Sequence, residues 1–577
     1  MRKADLYRTP QYPRASFDGE DFVRHLGECP SITSVAKGST PSGQAELKRL
    51  ALDIVLAVHD AMTKGSVGGQ VIEPTVFVDA LRHKVSALRS SVYKDFASSL
   101  GASKTTRNAL LNWARKQGIL DFVDDVYEAL AAQFAYRVAG QVLFYYAFRR
   151  QENSLPMLSL STGSPVISQL RMYWDRVRGF DYEALYDPSP LETITLSATT
   201  EDAVRAIVED LSMYDWDRIE LDVLGSIFEQ MIPEPDRVVL GQYYTSPKLA
   251  DVLLSLCTDT EDDIYLDPGV GTGTFLYRAY DRKSKSGVGS HGTYLDALWG
   301  FDISAFPAEL SVINLYRQDL SNRTNFPRIA VRDFFDVKPT DSLQFPPARA
   351  TLGGTDKVNV PLPAFNVLVG NPPYVRSQQL DDLDAAYKHK LQAIGVWAGV
   401  QNTAKFDAFA YFIVHAASFL QPGGRMGFVT SAAWLTARYG AQLQKFILDK
   451  FADVLILYSE VEPFFQADVD TIVLVGRRVD NTPDQSQDTS RGDVRFVCLT
   501  RRLAELLPGP NTFDYWAHVD ALTAALETDS SGEYKEGYRI STLDGDQERH
   551  ALQQVPGEVR NWGRELKRSP IYNAIFG

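Results

Sequence analysis

The stretch richest in chemistry is Asn371-Pro372-Pro373-Tyr374, which directly follows the apolar run Phe365-Asn366-Val367-Leu368-Val369-Gly370. Two consecutive prolines fix the backbone and bring no N–H. The Asn371 side-chain oxygen and a neighbouring carbonyl can then converge on one NH2 group, bind both its protons and steer its nitrogen lone pair towards an electrophile. Tyr374 offers an aromatic face for a planar base or amide. The plainer reading is a rigid turn at a strand end.

A second group has the pattern of a cofactor site. Ile264-Tyr265-Leu266 reads as a strand, Asp267-Pro268-Gly269-Val270-Gly271-Thr272-Gly273 as a glycine-rich turn, and Thr274-Phe275 as a helix start. Glycines there permit tight turns and close approach of the backbone to a ligand. No Gly-Lys-Ser/Thr follows, which excludes a P-loop. The next strand ends at Asp302, where an acid in a nucleotide-binding sheet can bind ribose hydroxyls. A third ends at Asp333, placed to accept from an adenine amino group. Each Asp alone reads as a cap or turn residue; three of them, each after a strand and in order, point to a nucleotide-like cofactor. Upstream, Gly241 to Lys248 reads as a turn starting a helix, with Thr245 or Ser246 as cap and Pro247 in its first turn.

The elements that must position these residues differ along the chain. Apolar spacing of three and four predicts helices over Ala45–Met62, Thr75 to about Leu100, Asp121–Phe148 and Asp217–Met231. Pro233 and Pro235 punctuate the end of this helical region. Short strands then alternate with helices, at 264–266, 298–301, 328–331, 365–369, 425–429, 454–457 and 471–475. That alternation predicts an α/β fold with a parallel, doubly wound sheet. A polar linker, Asp480 to Asp493, is expected to leave the core, and a stretch of mixed character follows it. The expected domains are 1–235, helical; 236–480, catalytic; and 481–577, linker and connector.

Composition is that of an ordinary globular protein, 45% hydrophobic and 23% charged. Cys29, Cys257 and Cys498 stand far apart without a CxxC pair, so neither a disulfide framework nor a metal site is indicated. The start, Met1-Arg2-Lys3-Ala4-Asp5, lacks an apolar run. The stretch Ala129 to Phe148 holds Gln133, Arg137 and Gln141 and reads as a core helix rather than a membrane span. A cytoplasmic protein with no membrane partner is the expectation. The net charge of −14 argues against binding nucleic acid by bulk electrostatics.

The sequence resembles the amino-methyltransferases that use S-adenosylmethionine, in particular the N6-adenine DNA methyltransferases of the gamma class, over about Leu221 to Arg478. It thereby implies a Rossmann-like methyltransferase sheet with a mainly helical N-terminal domain. Gly241–Pro247 is similar to the family's segment before the glycine loop, where Thr245 would contact the methionine moiety. Asp267, Gly269, Gly271 and Gly273 resemble the methionine-binding loop, with Val270 where the family usually has Cys or Ala. Asp302 and Asp333 match the ribose- and adenine-binding acids. Asn371, Pro372, Pro373 and Tyr374 match the catalytic motif. The downstream Phe406–Phe412 helix start and the Leu420–Val429 helix–turn–strand agree. Pro463–Thr471 resembles the loop whose aromatic stacks on a flipped base, with Phe464 favoured over Phe465 and core packing as the bland reading of either.

The resemblance implies transfer of a methyl group to the N6 of an adenine flipped out of double-stranded DNA, without a metal. The stretch after Arg478 is short for a recognition domain, and Asn561-Trp562-Gly563 through Ile571-Tyr572 resembles the connector before such domains in type IIG and BREX-type methylases. The expected role is therefore a modification subunit of a restriction-modification or related phage-defence system. Its partners would be a specificity subunit and, beyond that, nuclease or defence-system subunits. Within the chain itself, Glu46-Leu47-Lys48 and Glu565-Leu566-Lys567 read as solvated helix charges, not nuclease residues. Arg477, Arg478, Arg491, Arg495, Arg501, Arg502, Arg560, Arg564, Lys567 and Arg568 are candidate phosphate contacts or plain surface charge. Other functions with the same motifs are glutamine N5-methylation of protein, adenine methylation of RNA, and a catalytically silent DNA-sensing subunit.

Overall fold

The computed structural model describes residues 74–102, 104–116, 125–149, 155–178, 186, 189–214, 216, 245–319, 326–345, 357–375, 377, 385–397, 400, 403–464, 470–479, 492–510, 512–530, 534–554 and 558–567. The expected helices at Ala45–Met62 and Asp217–Met231 lie outside these residues. So do Pro233, Pro235, Gly241–Tyr244, Glu46–Lys48, Phe465–Val469, Ile571-Tyr572, Arg491, Arg568 and most of the linker.

The chain divides into two compact units. The first comprises residues up to Ser91, 138–170 and 196–231, and the second comprises 92–137, 171–195 and 232–577. The described N-terminal part is helical: α1 (Pro74–Ala102), α2 (Lys104–Lys116), α3 (Val126–Arg149), α4 (Val166–Arg178) and α5 (Ala198–Ser212). Segments of α1 and α3 contribute to both units. Within the first unit, Trp216 stacks on Tyr146 with centroids 5.4 Å apart, and Phe77 meets Tyr214 edge-on at 4.8 Å. Ser197 caps α5, accepting from the Thr200 N–H. Every residue of α3 from Ala129 to Tyr146 is buried, polar Gln133, Arg137 and Gln141 included. Among the described residues no helix is long and apolar enough to cross a membrane.

The second unit is built on one sheet. Its strands are β1 (Tyr265–Asp267), β2 (Leu298–Asp302), β3 (Arg328–Val331), β6 (Phe365–Gly370), β7 (Leu420–Ser431), β8 (Phe451–Ser459), β9 (Thr471–Arg478), β10 (Asp493–Leu499), β11 (Tyr534–Lys535) and β12 (Tyr538–Asp544). β4 (Ser342–Phe345) and β5 (Val358–Pro361) form a separate antiparallel pair. The order is β11-β12-β10-β8-β9-β7-β6-β1-β2-β3. The run β3-β2-β1-β6-β7 is parallel, as alternating strands and helices predict. Strands β1 and β6 are buried almost throughout, the mark of a strand covered on both faces.

The remainder of the sheet is mixed rather than parallel. β9 inserts between β7 and β8 and runs against both. The connection 460–470 is shorter than the dozen or so residues a parallel crossover needs. β8 and β10 run with β7, whereas β12 opposes β10. The segment after the linker therefore continues the same sheet.

The helices of this unit are α6 (Pro247–Cys257), α7 (Thr274–Ser286), α8 (His291–Asp296), α9 (Ala305–Tyr316), α10 (Ala385–Trp397), α11 (Ala408–Ala416), α12 (Gly440–Lys450), α13 (Leu503–Leu506), α14 (Tyr515–Thr528), α15 (Gly545–Gln554) and α16 (Gly563–Lys567). α11 is buried along its whole length and brings Phe412 and His415 against Phe334, Phe335 and Phe419. Arg137 of α3 forms a buried ion pair with Glu309 of α9 and lies 3.8 Å from Glu192. α14 docks on α6 and α7 through a polar network. The buried Asp251 carboxylate accepts from Arg278 and from the Tyr515 hydroxyl, 2.6 Å away, and Arg282 pairs with Asp520 at 2.8 Å.

Trp562 closes the far side of the sheet. It is 1% exposed, meets Trp434 and Phe496 edge-on, and donates from Nε1 to Glu548 Oε2 at 2.9 Å. Arg560 completes the group by a two-pronged bond to the same Glu548. Trp562 therefore belongs to the core, and Arg560, still half-exposed, spends its guanidinium on Glu548. Likewise Glu565 is buried and accepts from the Ser541 hydroxyl, rather than being a solvated helix charge. Removing the Trp562 ring leaves a large cavity and a half-satisfied Glu548. Trp562→Ala is expected to lower unfolding stability by about 3–5 kcal/mol, measured by guanidinium titration of the full chain.

Candidate active site

Strands β2, β1 and β6 are neighbours and parallel, with Leu266 in register with Trp299 on one side and Leu368 on the other. Their carboxyl ends therefore lie side by side. Asp267, Asp302 and Asn371 stand at or just beyond those ends, and Asp333 follows β3 at the sheet edge.

The glycine loop is held by main-chain bonds to β2. Val270 N–H donates to the Phe301 carbonyl at 2.8 Å, and Gly271 N–H donates to Asp302 Oδ2 at 2.9 Å. Gly271 and Gly273 adopt left-handed φ values of 51° and 82°. At Gly271 a Cβ would point into open space, so this side of the turn is a cradle with room for a ligand. Val270 faces the other way: it packs against Gly300, whose added Cβ would come within 2.8 Å of Val270 Cγ2. Its bulk, relative to Cys or Ala, is thus taken up inside the protein. Asn314 of α9 donates to the Thr272 carbonyl at 2.8 Å and fixes the far side of the turn.

Of the two acids at this loop, Asp267 is buried and Asp302, at the end of β2, is half-buried. Burial pushes the Asp267 carboxyl up to about 8, against one N–H bond from Gly269 and with the nearby Asp302 charge adding to the rise. Burial likewise lifts Asp302 to about 6, against N–H bonds from Ser304 and Gly271. Among the described residues no Lys or Arg pairs with either group. Two unpaired carboxyls beside an open cradle suit a ligand that brings positive charge and hydroxyl donors. S-adenosylmethionine has both, so the residues present fit it.

Asp333 is more heavily engaged. Its Oδ1 accepts from Phe335 N–H at 3.0 Å, capping the short turn Phe334–Asp336, and its Oδ2 accepts from Lys390 Nζ at 2.6 Å. Lys390 also bonds Asp336 at 2.9 Å and lies 4.7 Å from the Tyr387 ring centroid. Burial works against the Lys390 charge, but its two acidic partners hold it above the ordinary lysine value.

At the catalytic turn, the Asn371 side chain is held at both ends. Nδ2 donates to Thr245 Oγ1 at 3.2 Å, and Oδ1 accepts from the Tyr374 hydroxyl at 2.8 Å. Thr245 is buried just before α6, whose cap is Ser246. The structure thus brings Thr245, Asn371 and Tyr374 into one chain of hydrogen bonds. Gly370 ties this turn to the cofactor loop, since an added Cβ would stand 2.9 Å from Asp267 Oδ1. The turn is braced from behind by Asp407, which accepts from Ser377 N–H and from the Tyr439 hydroxyl, each at 2.9 Å. Burial, with Asp407 beside it, raises the Tyr439 hydroxyl well above the ordinary tyrosine range. Asp407, Tyr439 and Lys390 carried no signal of their own in the sequence, because each acts through a residue distant along the chain.

Phe464 follows β8 and is 6% exposed, so its ring is packed rather than displayed. Of the candidate phosphate contacts, Arg477 pairs with Asp259 and Asp453, Arg478 donates to the carbonyls of Ala417 and Leu420, Arg495 donates to the Asp529 carbonyl and Arg501 pairs with Glu536. Arg502 and Arg564 are exposed.

Residues 296–465 match the Eco57I restriction-modification methylase family. Type II methyltransferase M.XhoI of Xanthomonas vasicola is 26% identical over 220 residues, 37% of this chain and 37% of that protein. Type II methyltransferase M.PaeR7I of Pseudomonas aeruginosa is 27% identical over 240 residues, 40% of this chain and 38% of that one. The chain thus spans well under half the length of these relatives. A type I restriction-modification methyltransferase subunit from Streptococcus thermophilus, at 16% identity, overlays 86% of this chain and 100% of its own with a TM-score of 0.48. The matched segment contains Asp302, Asp333, Asn371–Tyr374 and Phe464.

Proposed function

We propose that the chain is an S-adenosylmethionine-dependent DNA N6-adenine methyltransferase, acting as the modification subunit of a restriction-modification or related defence system. The observation that carries this reading is the Asn371 amide, fixed between Thr245 and Tyr374 at the end of a buried strand adjoining the glycine loop. When bound, S-adenosylmethionine would supply an electrophilic methyl group.

The residues of this chain do the rest. Asp302 would hold the ribose hydroxyls, Asp333 the adenine amino group, and Thr245 the methionine end. Asp267, through its bond to Gly269, keeps the loop shaped around the donor. The target adenine is flipped out of the duplex, because its N6 is inaccessible within the stack. Asn371 Oδ1 and the Pro372 carbonyl accept its two amino protons and set the nitrogen in line. Positive charge would develop on N6 as the methyl leaves its sulfur, those two oxygens would stabilise it, and one proton would then pass to solvent water. Tyr374 and Phe464 would hold the base between them. For this the Tyr374 hydroxyl must leave Asn371, and Phe464 must be uncovered.

Target recognition we assign to a partner specificity subunit. The described residues after Arg478 are taken up by β10, β12 and the Trp562 core, which supports a recognition module outside them. A nuclease or other defence-system subunit would act with the pair.

These assignments have measurable outcomes. Asn371→Ala should abolish transfer of a tritiated methyl to DNA while cofactor affinity, read by calorimetry, stays within about twofold; substantial turnover by this variant would refute the assignment. A second outcome concerns Asp267. Its folded carboxyl keeps a proton up to about pH 8, whereas in the unfolded chain it ionises near pH 4. Between those values the folded state binds the extra proton, so its contribution to stability falls as pH rises, by on the order of 1.4 kcal/mol per pH unit. Asp267→Asn should flatten that fall and melt higher than wild type at pH 8 without cofactor. Affinity for the cationic cofactor should run the opposite way in wild type, strengthening from pH 6 to pH 9, and lose that trend in Asp267→Asn. Third, cells expressing this chain with and without its neighbouring genes can be compared by sequencing methylated bases. Methylation at one motif only when a neighbour is present is expected; methylation by the chain alone would refute the split design.

A further inference from the structure

Phe513 is 87% exposed, far beyond any other large apolar side chain among the described residues. A single exposed apolar residue needs no explanation by itself. The position of this one does.

Two independent features place it on the same edge of the sheet as the Asn371 turn. The first is strand direction. β10 runs with β8, β8 with β7, and β7 with β6, so the chain leaving β10 at Leu499 emerges on the edge where Asn371 follows β6. The second is the pairing of α14 with α6. Tyr515 bonds Asp251, and Asp520 and Thr523 bond Ser255 further along. Later still, Arg425 links the Leu256 carbonyl to Glu527. The contacts advance the same way in both helices, so the helices are parallel and start at the same end. Thr245 precedes the start of α6 and bonds Asn371; Phe513 precedes the start of α14. The loop between β10 and α14 is pinned there by Lys248 Nζ, which donates to the Leu507 carbonyl at 2.8 Å.

The surroundings combine the exposed ring with a few cations. Arg438, Arg501 and Arg502 are exposed on segments that follow β7 and β10 on this edge, with Arg501 also paired to Glu536. Val461, 40% exposed, follows β8 on the same edge, and the adjoining Glu462 accepts from Leu503 N–H at 3.0 Å, joining the two loops. Glu460, Glu505, Asp514 and Glu536 are exposed on the same edge and outnumber these arginines, so the planar ring and not charge is the attraction. Bases stack on such a ring irrespective of sequence, and apolar side chains wedge between base steps in duplexes that are being distorted.

We propose that Phe513 is a DNA-contacting residue, stacking on the bases next to the flipped adenine and helping to hold the duplex open. This rests on the DNA methyltransferase reading. The contact is sequence-tolerant and separate from whatever module reads the target.

The test uses the full chain, with and without its neighbouring gene products, and unmethylated plasmid DNA as probe. Phe513→Ala should raise the KM for DNA by about fivefold or more, with melting temperature and S-adenosylmethionine affinity unchanged. Phe513→Trp should retain activity, and its tryptophan emission should be quenched on adding plasmid DNA. If wild type methylates the plasmid but Phe513→Ala does so with unchanged KM and Phe513→Trp emission is unaffected, the contact is refuted and the enzyme reading stands. If the emission responds to a neighbouring gene product without DNA, and not to DNA, the surface docks protein and the proposal is overturned. If wild type transfers no methyl to DNA under either condition, the proposal falls together with the reading beneath it.

Discussion

Everything at this site depends on β1, a strand only three residues long and gripped from both sides. Tyr265 N–H bonds the Ala297 carbonyl next to β2, while Asn366 and Val367 N–H both reach the Ile264 carbonyl, and the Asn366 side chain accepts from Ile264 N–H at 3.0 Å. So short a strand has almost no freedom of register. Its parallel neighbours therefore deliver Asp302 and Asn371 to the same level as the glycine loop. A slip of one residue would turn Asp267 to the opposite face of the sheet.

Burial then sets the electrostatics. Asp267 and Asp302 cost free energy as charges at the glycine loop, which the elevated pKa of each expresses. Among the described residues neither is paired with Lys or Arg, whereas Asp333 has Lys390 and Asp251 has Arg278. Asp267 and Asp302 are thus the acids here whose charge the protein leaves uncompensated. Asp251, Arg278 and Tyr515 form a structural network that joins α6, α7 and α14 behind the site.

Local patterns were legible and distant pairings were not. Asn371–Tyr374 and Asp267–Gly273 announce themselves because turn chemistry and strand burial leave marks within a few residues. The direction of β9 was not legible, since an apolar strand reads alike whichever way it pairs. The return of residues 493–544 to the sheet was hidden for the same reason: a polar linker shows where the chain leaves a strand, not whether it comes back. Trp562 reads in the sequence as part of a connector and Arg560 as a candidate phosphate contact, and only the position of Glu548 reveals Trp562 as core and Arg560 as its half-exposed partner. Asp407 could not be found from its neighbours, because Ser377 and Tyr439 lie 30 and 32 residues away. The net charge of −14 also changes meaning: much of the Arg complement near the end of the catalytic part is spent on internal acids and carbonyls, so the charge sum says little about any one edge of the sheet.

The Asn371 turn shows how such a site can be fixed in place and still ready to react. A bare amide oxygen at a half-buried turn would be a costly unsatisfied acceptor. Here the Tyr374 hydroxyl satisfies it, and Thr245 takes the other end of the amide. An arriving amino group replaces one hydrogen bond by another, so opening the site costs little net free energy; a typical exchange is worth about 1 kcal/mol either way. The rigid parts, Pro372, Pro373 and the Asp407 brace, do not move in that exchange. On the proposed reading the Tyr374 side chain turns to release the acceptor, while Phe464 is uncovered separately. Occupancy of the Asn371 oxygen and display of the Tyr374 face would then be two positions of one side chain, coupling capture of the base to exposure of the group that aligns it.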